Sequence, residues 1–428
     1  MTRSILLLNP PSLPATIANR EGSAGMGVLG DTANPFVYPP HLLATAGAAL
    51  RAAHWRVAAL DAVALGLDAD TTLARMPASD VVVLPVSYGT QAADRAFLHR
   101  LRERKPLAKV LAIGPALTYA QVDHAFSDLV DGLVMGEPEL ALSAAASQLL
   151  AGQLAAGRAV NPYALNTAQY TPDGLLADLD AVPMPAWELF QPRQSYPFLS
   201  VLSSRGCPAG CAFCPYVAAQ GNVWRAQTPA RTAAEMVHTA QQHHAPHIFL
   251  RDPVFAHDRN RVLAICNELH RLGSTVTWEC ESRPEHFDAR VLRALHDAGC
   301  TVIKLGVESA DPDVLQAIGR VRSEQAARAY LDRVAEVVRW CGELGLLCRV
   351  FVMVGLPGQT RASVERTATF LRGLHPIRLH VKPLHWYPGI ALPPMAENDL
   401  SIESALLRAA VQARPSLWRR MARRLAQR

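Results

Sequence analysis

Short apolar runs alternate with stretches of helical period along most of this chain. The first run, residues 5–9, ends in Asn9-Pro10-Pro11 and reads as a strand. Tyr38-Pro39-Pro40 leads into a helix over residues 41–53, with proline at its first turn. Further strands are expected at 55–61, 80–86, 109–113 and 129–135, with helices between most of them. Alternating strand and helix imply a parallel, doubly wound α/β sheet. Ligands on such sheets sit at the carboxyl ends of the strands. Here those ends carry Asn9 and Pro10, Ser87 and Tyr88, Gly114, and Gly136 and Glu137.

Residues 150–197 interrupt this rhythm with Pro162, Pro172, Pro183, Pro185, Pro192 and Pro197 and read as a linker. The alternation restarts at residue 199. Strands are expected at 199–203, 247–250, 275–280, 301–306, 348–354 and 378–383, with intervening helices, the first near 230–243. Six such strands suggest a partial (β/α)6 barrel, whose sites also form at carboxyl ends. The expected organisation is a domain over 1–149, the linker 150–197, the barrel 198–392 and a short extension 393–428.

Composition narrows the class. The 428 residues are 50% hydrophobic and 18% charged, which fits an ordinary globular protein. There is no run of 18 apolar residues, so no membrane span is expected, and the run near the start is too short for a signal peptide. The net charge of +5 comes from residues 412–428, which hold six arginines and no acid. The remainder is close to neutral, which argues against a general nucleic-acid surface. Of eight cysteines, none precedes Cys207, and Cys266, Cys280, Cys300, Cys341 and Cys348 lie in largely apolar segments. They read as core thiols of a reducing, cytoplasmic compartment.

The other three cysteines form the loop Cys207-Pro-Ala-Gly-Cys211-Ala-Phe-Cys214, spaced C-x3-C-x2-C. Gly206 and Gly210 flank the ligands and let the backbone wrap closely. Three thiolates can hold three irons of a [4Fe–4S] cube and leave the fourth open. A zinc knot would want four ligands in paired clusters, and His243, His244 and His247 offer no matching pair. The loop resembles the cluster loop of radical S-adenosylmethionine (SAM) enzymes. The earlier Asn-Pro-Pro, Tyr38-Pro-Pro and Gly136-Glu-Pro-Glu139, in that order, resemble the cobalamin-binding domain that precedes the barrel in one branch of that family. Asp180-Ala-Val-Pro-Met-Pro-Ala-Trp187 resembles its run-in to the barrel. One departure stands out: the D-x-H-x-x-G motif that supplies a histidine to cobalt is absent.

The resemblance implies roles for the strand ends. Cys207, Cys211 and Cys214 would hold the cluster. Phe213 and Tyr216 would lie near the adenine of SAM. Asp252, in Arg251-Asp-Pro, stands where many relatives have Gly-Gly-Glu, and it would accept from the methionine amine or pair within the barrel. Glu281 and Arg283 fall on one face of the third barrel strand with Glu279. Arg283 would grip the methionine carboxylate or pair with a glutamate. Glu308, in Gly-Val-Glu-Ser309, would accept from ribose hydroxyls or form a salt bridge, and Gly355, in Gly-Leu-Pro-Gly358, would turn near adenosine. Tyr387-Pro-Gly389 resembles the closing segment. Asn9, Pro10, Ser87, Tyr88, Gly114, Gly136 and Glu137 would line the cobalamin site.

By the same resemblance, cofactors would be a [4Fe–4S] cluster, SAM and cobalamin. The reaction would cleave SAM to a 5′-deoxyadenosyl radical and move a methyl group to an unactivated carbon or phosphorus of a small metabolite or peptide natural product. Electrons would come from a donor such as flavodoxin or ferredoxin. Radical cyclisation or rearrangement without methyl transfer shares these motifs. An iron–sulfur sensor or electron carrier is the non-enzyme alternative, and it leaves the polar strand ends unexplained. Methylthiolation would need a second cluster, usually with cysteines in the first domain, and none lies there. The basic stretch 417–428 has Leu417, Met421 and Leu425 at helical spacing. A solvated terminal helix or frayed end is the expectation there, and contact with an anionic membrane surface, a peptide substrate or a partner the alternative.

Overall fold

The computed structural model describes residues 3–21, 28–31, 37–114, 125–154, 157, 159–190, 195–245, 247–387, 389–393 and 401–412. The basic stretch 417–428 and Pro388 therefore lie outside the described residues. Packing divides the chain into two units. The first comprises Met1–Pro208, Pro215–Pro253 and Tyr387–Gly389, and the second Ala209–Cys214, Val254–Trp386 and Ile390–Arg428.

In the first unit the strands are β1 (Ser4–Asn9), β2 (Thr16–Asn19), β3 (Val28–Asp31), β4 (Arg56–Asp61), β5 (Val81–Pro85), β6 (Val110–Ile113), β7 (Gly132–Val134) and β8 (Ala159–Val160). Then come β9 (Leu199–Val201), β10 (Ser204–Arg205), β11 (Arg225–Ala226) and β12 (Ile248–Leu250). A six-stranded sheet runs in the order β4-β1-β5-β6-β7-β8, parallel at every pairing. β1 and β5 are fully buried, as central parallel strands covered on both faces must be. Their side chains form a core with Phe97, Leu98 and Leu101 of the helix Gln91–Arg104. Burying each such leucine contributes roughly 1.5–3 kcal/mol. The strand order reverses between β4 and β5, on either side of β1, so the switch point falls at the carboxyl ends of β1 and β5.

Of β1–β8, the sequence expectation places five to within a few residues and misses three. β2 and β3 are four-residue strands paired antiparallel, too short to show alternation. β8 is two residues long and pairs with β7, so part of the expected linker completes the first sheet.

In the second unit β13 (Trp278–Ser282), β14 (Cys300–Glu308), β15 (Leu347–Val354) and β16 (Arg378–Pro383) pair in parallel. β9 and β12 of the first unit also pair in parallel. In chain order these six strands, with helices between them, follow the β/α succession expected from residue 199 on. Helices begin abruptly after loops because Asp258, Asp288, Asp311, Ser323 and Thr360 each accept an N–H of the first turn. The helix Glu324–Leu344 ends on Gly345, whose φ of 74° suits a residue without Cβ. No helix of the described residues is long and apolar enough to cross a membrane.

Candidate active site

The cysteine loop is built differently on its two sides. In the first unit Cys207 is buried and donates its N–H to Gly221 O at 3.2 Å. Gly206, with φ of 79°, precedes it; a Cβ there would stand 2.1 Å from Val223 O, so only glycine fits. Arg205 is the anchor. It is buried and bonds Glu139 at 2.8 Å and Glu137 at 3.5 Å. Arg225, which pairs with Arg205 across β10 and β11, grips both oxygens of Glu137 at 2.8 Å. Burial works against the Glu137 charge, but Arg205 and Arg225 overcome it and hold the carboxyl below its usual range. Glu137 also accepts from Leu176 N, and a Cβ on Gly136 would meet Gly174 O at 2.7 Å. Gly136 and Glu137 thus help to fasten the segment before Cys207 and the chain around 174–176.

Asp252 has a similar role. It is almost fully buried, and its oxygens accept from Ser203 N, Ser203 Oγ and Ser204 Oγ at 2.6–2.7 Å. That geometry ties the end of β12 to the chain just after β9, where the sequence suggested an acceptor for an amine. Arg251 pairs with Glu21 at 2.7 Å and lies 4.5 Å from the Phe249 ring centroid. Tyr216 is half-buried in the short helix Pro215–Gln220.

In the second unit Cys211 receives two guanidinium groups. Arg283 Nη1 lies 3.3 Å and Arg320 Nη1 3.5 Å from its Sγ. Cys214 N donates to Cys211 O at 3.1 Å, and Ala212 N to Ile318 O at 2.9 Å, which shapes the loop. Arg283 spends its other nitrogens on Arg320 O and Glu285, so all three of its nitrogens have partners. Arg320 is buried and also holds Gly306 O at 2.6 Å and Tyr330 Oη at 2.9 Å. Phe213 and Cys214 are half-buried.

Glu308 ends β14 in the left-handed region, with φ of 65°. A register shift against β15 precedes it and re-aims its side chain. Burial pushes its carboxyl up, opposed by Arg320 and then Lys382. Glu281 is half-buried beside Lys304 in the register of β13 and β14. Gly355, with φ of 82°, donates its N–H to Gln359 Oε1 at 2.7 Å. Among the described residues no three His, Cys, Asp or Glu side chains converge as around a single metal ion.

The switch-point residues of the first unit form a buried network. Asn9 donates to Asp61 at 2.9 Å, and Tyr196 Oη does so at 2.7 Å. Arg20 pairs with Asp94 at 2.6 Å with both side chains fully buried, and it donates to Pro10 O. Asp94 in turn accepts from Ser87 N and Thr90 Oγ1. Tyr88 packs edge-on against Tyr387, 5.7 Å between ring centroids. A Cβ on Gly114 would meet Val86 O at 2.5 Å, so β5 and β6 approach closely there.

His41, at the start of the helix after Tyr38-Pro-Pro, is buried against Trp187, and its Nε2 has no partner among the described residues. Burial first, and then the charges of Arg205 and Arg251, lower its pKa from 6.5 to about 3. As pH falls below 6.5 the unfolded chain takes up a proton that the folded chain refuses, so stability falls and keeps falling down to about 3. Between about pH 7 and pH 5 this group alone removes about 2 kcal/mol. Urea titrations at the two pH values should show that loss, and His41→Asn should shrink it by the same amount. An unchanged loss in the variant would contradict the assignment.

Sequence reasoning missed Arg205, Arg225 and Arg320. Each is a lone arginine with no motif, and each acts on a partner far along the chain.

Comparison with known proteins adds three findings. Residues 201–371 match the family model of the radical SAM superfamily. An uncharacterized methyltransferase of Pyrococcus horikoshii is 27% identical over 269 residues, covering 61% of this chain and 57% of that protein. One of Synechocystis is 22% identical over 284 residues, covering 64% and 48%. The chain thus spans about half the length of these curated relatives. Among solved structures, the radical SAM methyltransferase TsrM of Kitasatospora setae, with cobalamin and a [4Fe–4S] cluster bound, superposes with a TM-score of 0.65 at 19% identity. The match covers 89% of this chain and 75% of TsrM. The cobalamin-dependent SAM radical enzyme OxsB superposes at 0.60 and 16% identity, covering 96% and 55%. At these identities the likeness is one of fold.

Proposed function

We propose that this chain, whose residues 201–371 belong to the radical SAM superfamily, is a cobalamin-dependent radical SAM methyltransferase acting on a small molecule or peptide. The observation that carries the proposal is Cys211 between Arg283 and Arg320, in a C-x3-C-x2-C loop. Two fixed cations facing one sulfur suit the negative charge of a cluster bound through it. Cys207, Cys211 and Cys214 would hold the [4Fe–4S] cluster. When bound, the cluster supplies the electron that cleaves SAM, and cobalamin supplies a carrier for the methyl group.

The chain's own residues position these groups. Arg205, Arg225, Glu137 and Glu139 fix the backbone on the Cys207 side. Asp252 fixes Ser203 and Ser204. Glu308, re-aimed by the register shift in β14, would accept from ribose hydroxyls. Phe213 and Tyr216 would flank adenine, with the Gly355 turn nearby. The parallel sheet with its switch point at β1 and β5 supports a corrin site lined by Asn9, Pro10, Ser87, Tyr88 and Gly114. No histidine ligand to cobalt is expected from this chain's first domain. The eight unbridged cysteines fit a reducing cytoplasm, where flavodoxin or ferredoxin would supply electrons.

The test is anaerobic reconstitution with iron, sulfide and hydroxocobalamin, followed by SAM bearing a deuterated methyl group. Stoichiometric corrin, deoxyadenosine formation and label in the corrin fraction are expected. Deoxyadenosine without corrin or transferred label would remove methyl transfer and leave a radical enzyme of another outcome.

A further inference from the structure

The half-buried face of β13–β16 carries four cations, Lys304, Arg349, Arg378 and Lys382, among the carboxylates Glu279, Glu281 and Glu308. In β15, Cys348, Val350, Val352 and Val354 are fully buried, while Arg349, Phe351 and Met353 on the other face are half-buried. The parallel register places Lys304 beside Arg349, Arg349 beside Arg378, and Phe351 beside His380. Lys382 follows two residues after His380 on the same side. One carboxylate, Glu279, serves two of these cations, at 2.5 Å from Lys304 Nζ and 3.4 Å from Arg349. Glu308, further along the face, has Arg320 as its strongest counter-charge and Lys382 as its second.

Two nitrogens on this face are left over from these pairings. Arg349 Nε and His380 Nε2 are buried and have no hydrogen-bond partner among the described residues. Unsatisfied buried groups of this kind are rare and call for an explanation. Lys382 Nζ lies over the Phe351 ring at 4.5 Å, and that ring is 5.2 Å from His380. Burial, then Arg349, Arg378, Lys382 and Lys304, lower the His380 pKa to about 4. The register sets Arg349 and His380 on one face of neighbouring strands, so that face carries both orphaned nitrogens.

We infer that this face binds the anionic group of the substrate, a carboxylate or a phosphate or phosphonate, through Arg349, His380 and Lys382. An oxyanion suits the guanidinium edge and the imidazole N–H together, with Lys382 adding charge. Naming the ligand a substrate rests on the proposed function; the anion site does not.

The test uses the full chain, reconstituted anaerobically and labelled with 13C at histidine Cε1, with the His380 signal assigned from His380→Gln. Inorganic phosphate, methylphosphonate and acetate are titrated separately against sodium chloride of equal ionic strength. A saturable shift of the His380 signal is expected. It should weaken by about tenfold in Arg349→Gln and by a few-fold in Lys382→Gln, whose side chain is exposed and whose fold should be intact. A stronger response to acetate would identify a carboxylate, and to methylphosphonate a phosphorus oxyanion. The titration is repeated with saturating SAM, and the shift should persist. Its loss would assign the site to the carboxylate of SAM and overturn the proposal, as would a response no larger than that to chloride, or equal affinity in Lys382→Gln. The readout needs no turnover, so its failure leaves the labelled-SAM result untouched.

Discussion

Replacing Cys211 by alanine is expected to abolish SAM cleavage and to cut iron and sulfide in the reconstituted protein to about a tenth or less. A site-differentiated cube needs one thiolate for each of three irons, and the variant keeps only Cys207 and Cys214. The loss reaches further than one ligand. Arg283 and Arg320 both donate to that sulfur, and in the variant they face a methyl group. Arg320 keeps Gly306 O and Tyr330 Oη, so the fold should survive with a loss of about 1 kcal/mol. Cys266→Ala is the matched control. Burial, and then Cys300, push the Cys266 thiol up to about 12, so it stays protonated. That variant should keep its iron and lose only about 1 kcal/mol of packing. Iron analysis and deoxyadenosine chromatography on both proteins check the pair. Wild-type iron in Cys211→Ala would remove the cluster from this loop.

That contrast marks where the sequence is legible. Cys207, Cys211 and Cys214 announce themselves because their spacing is local and their chemistry is specific. The parallel strands are visible for a related reason: β1 and β5 are continuous apolar runs, and turn residues end them. What stays hidden is cross-chain. Nothing near Arg320 in sequence points to Cys211, and nothing near Arg225 points to Glu137. Those pairings exist only once the strands are in register. The same holds for Asp252 and Arg283. Their residue types suit SAM, and the sequence places them at strand ends, but the fold turns Asp252 to Ser203 and Ser204 and Arg283 to Cys211. Glu308 is intermediate. Its motif is readable, whereas the register shift that aims it is set by β15.

The switch point of the first sheet carries the second large effect. Asp94→Asn is expected to destabilise the protein by about 3–5 kcal/mol. Asp94 collects donors from Arg20 Nε, Ser87 N and Thr90 Oγ1. An amide of the same shape has one acceptor oxygen, so its NH2 must face a donor. Arg20 is then a fully buried cation without its ion-pair partner. Removing both charges should cost less than removing one, so Arg20→Met combined with Asp94→Leu should recover part of the loss, and a double-mutant cycle measures the coupling. The network also holds the ends of β1 and β5, because Arg20 bonds Asn9 and Pro10 O while Asp94 fixes Ser87 N. Under the proposed function, Asp94→Asn should therefore lose corrin more readily than iron, since neither Arg20 nor Asp94 bonds the cysteine loop. Urea denaturation reads the first effect, and corrin and iron contents of the same sample read the second. A cost below about 1 kcal/mol would show that this pair does not fasten the switch point. Equal loss of corrin and iron would mean that the substitution unfolds the chain broadly and says nothing particular of β1 and β5.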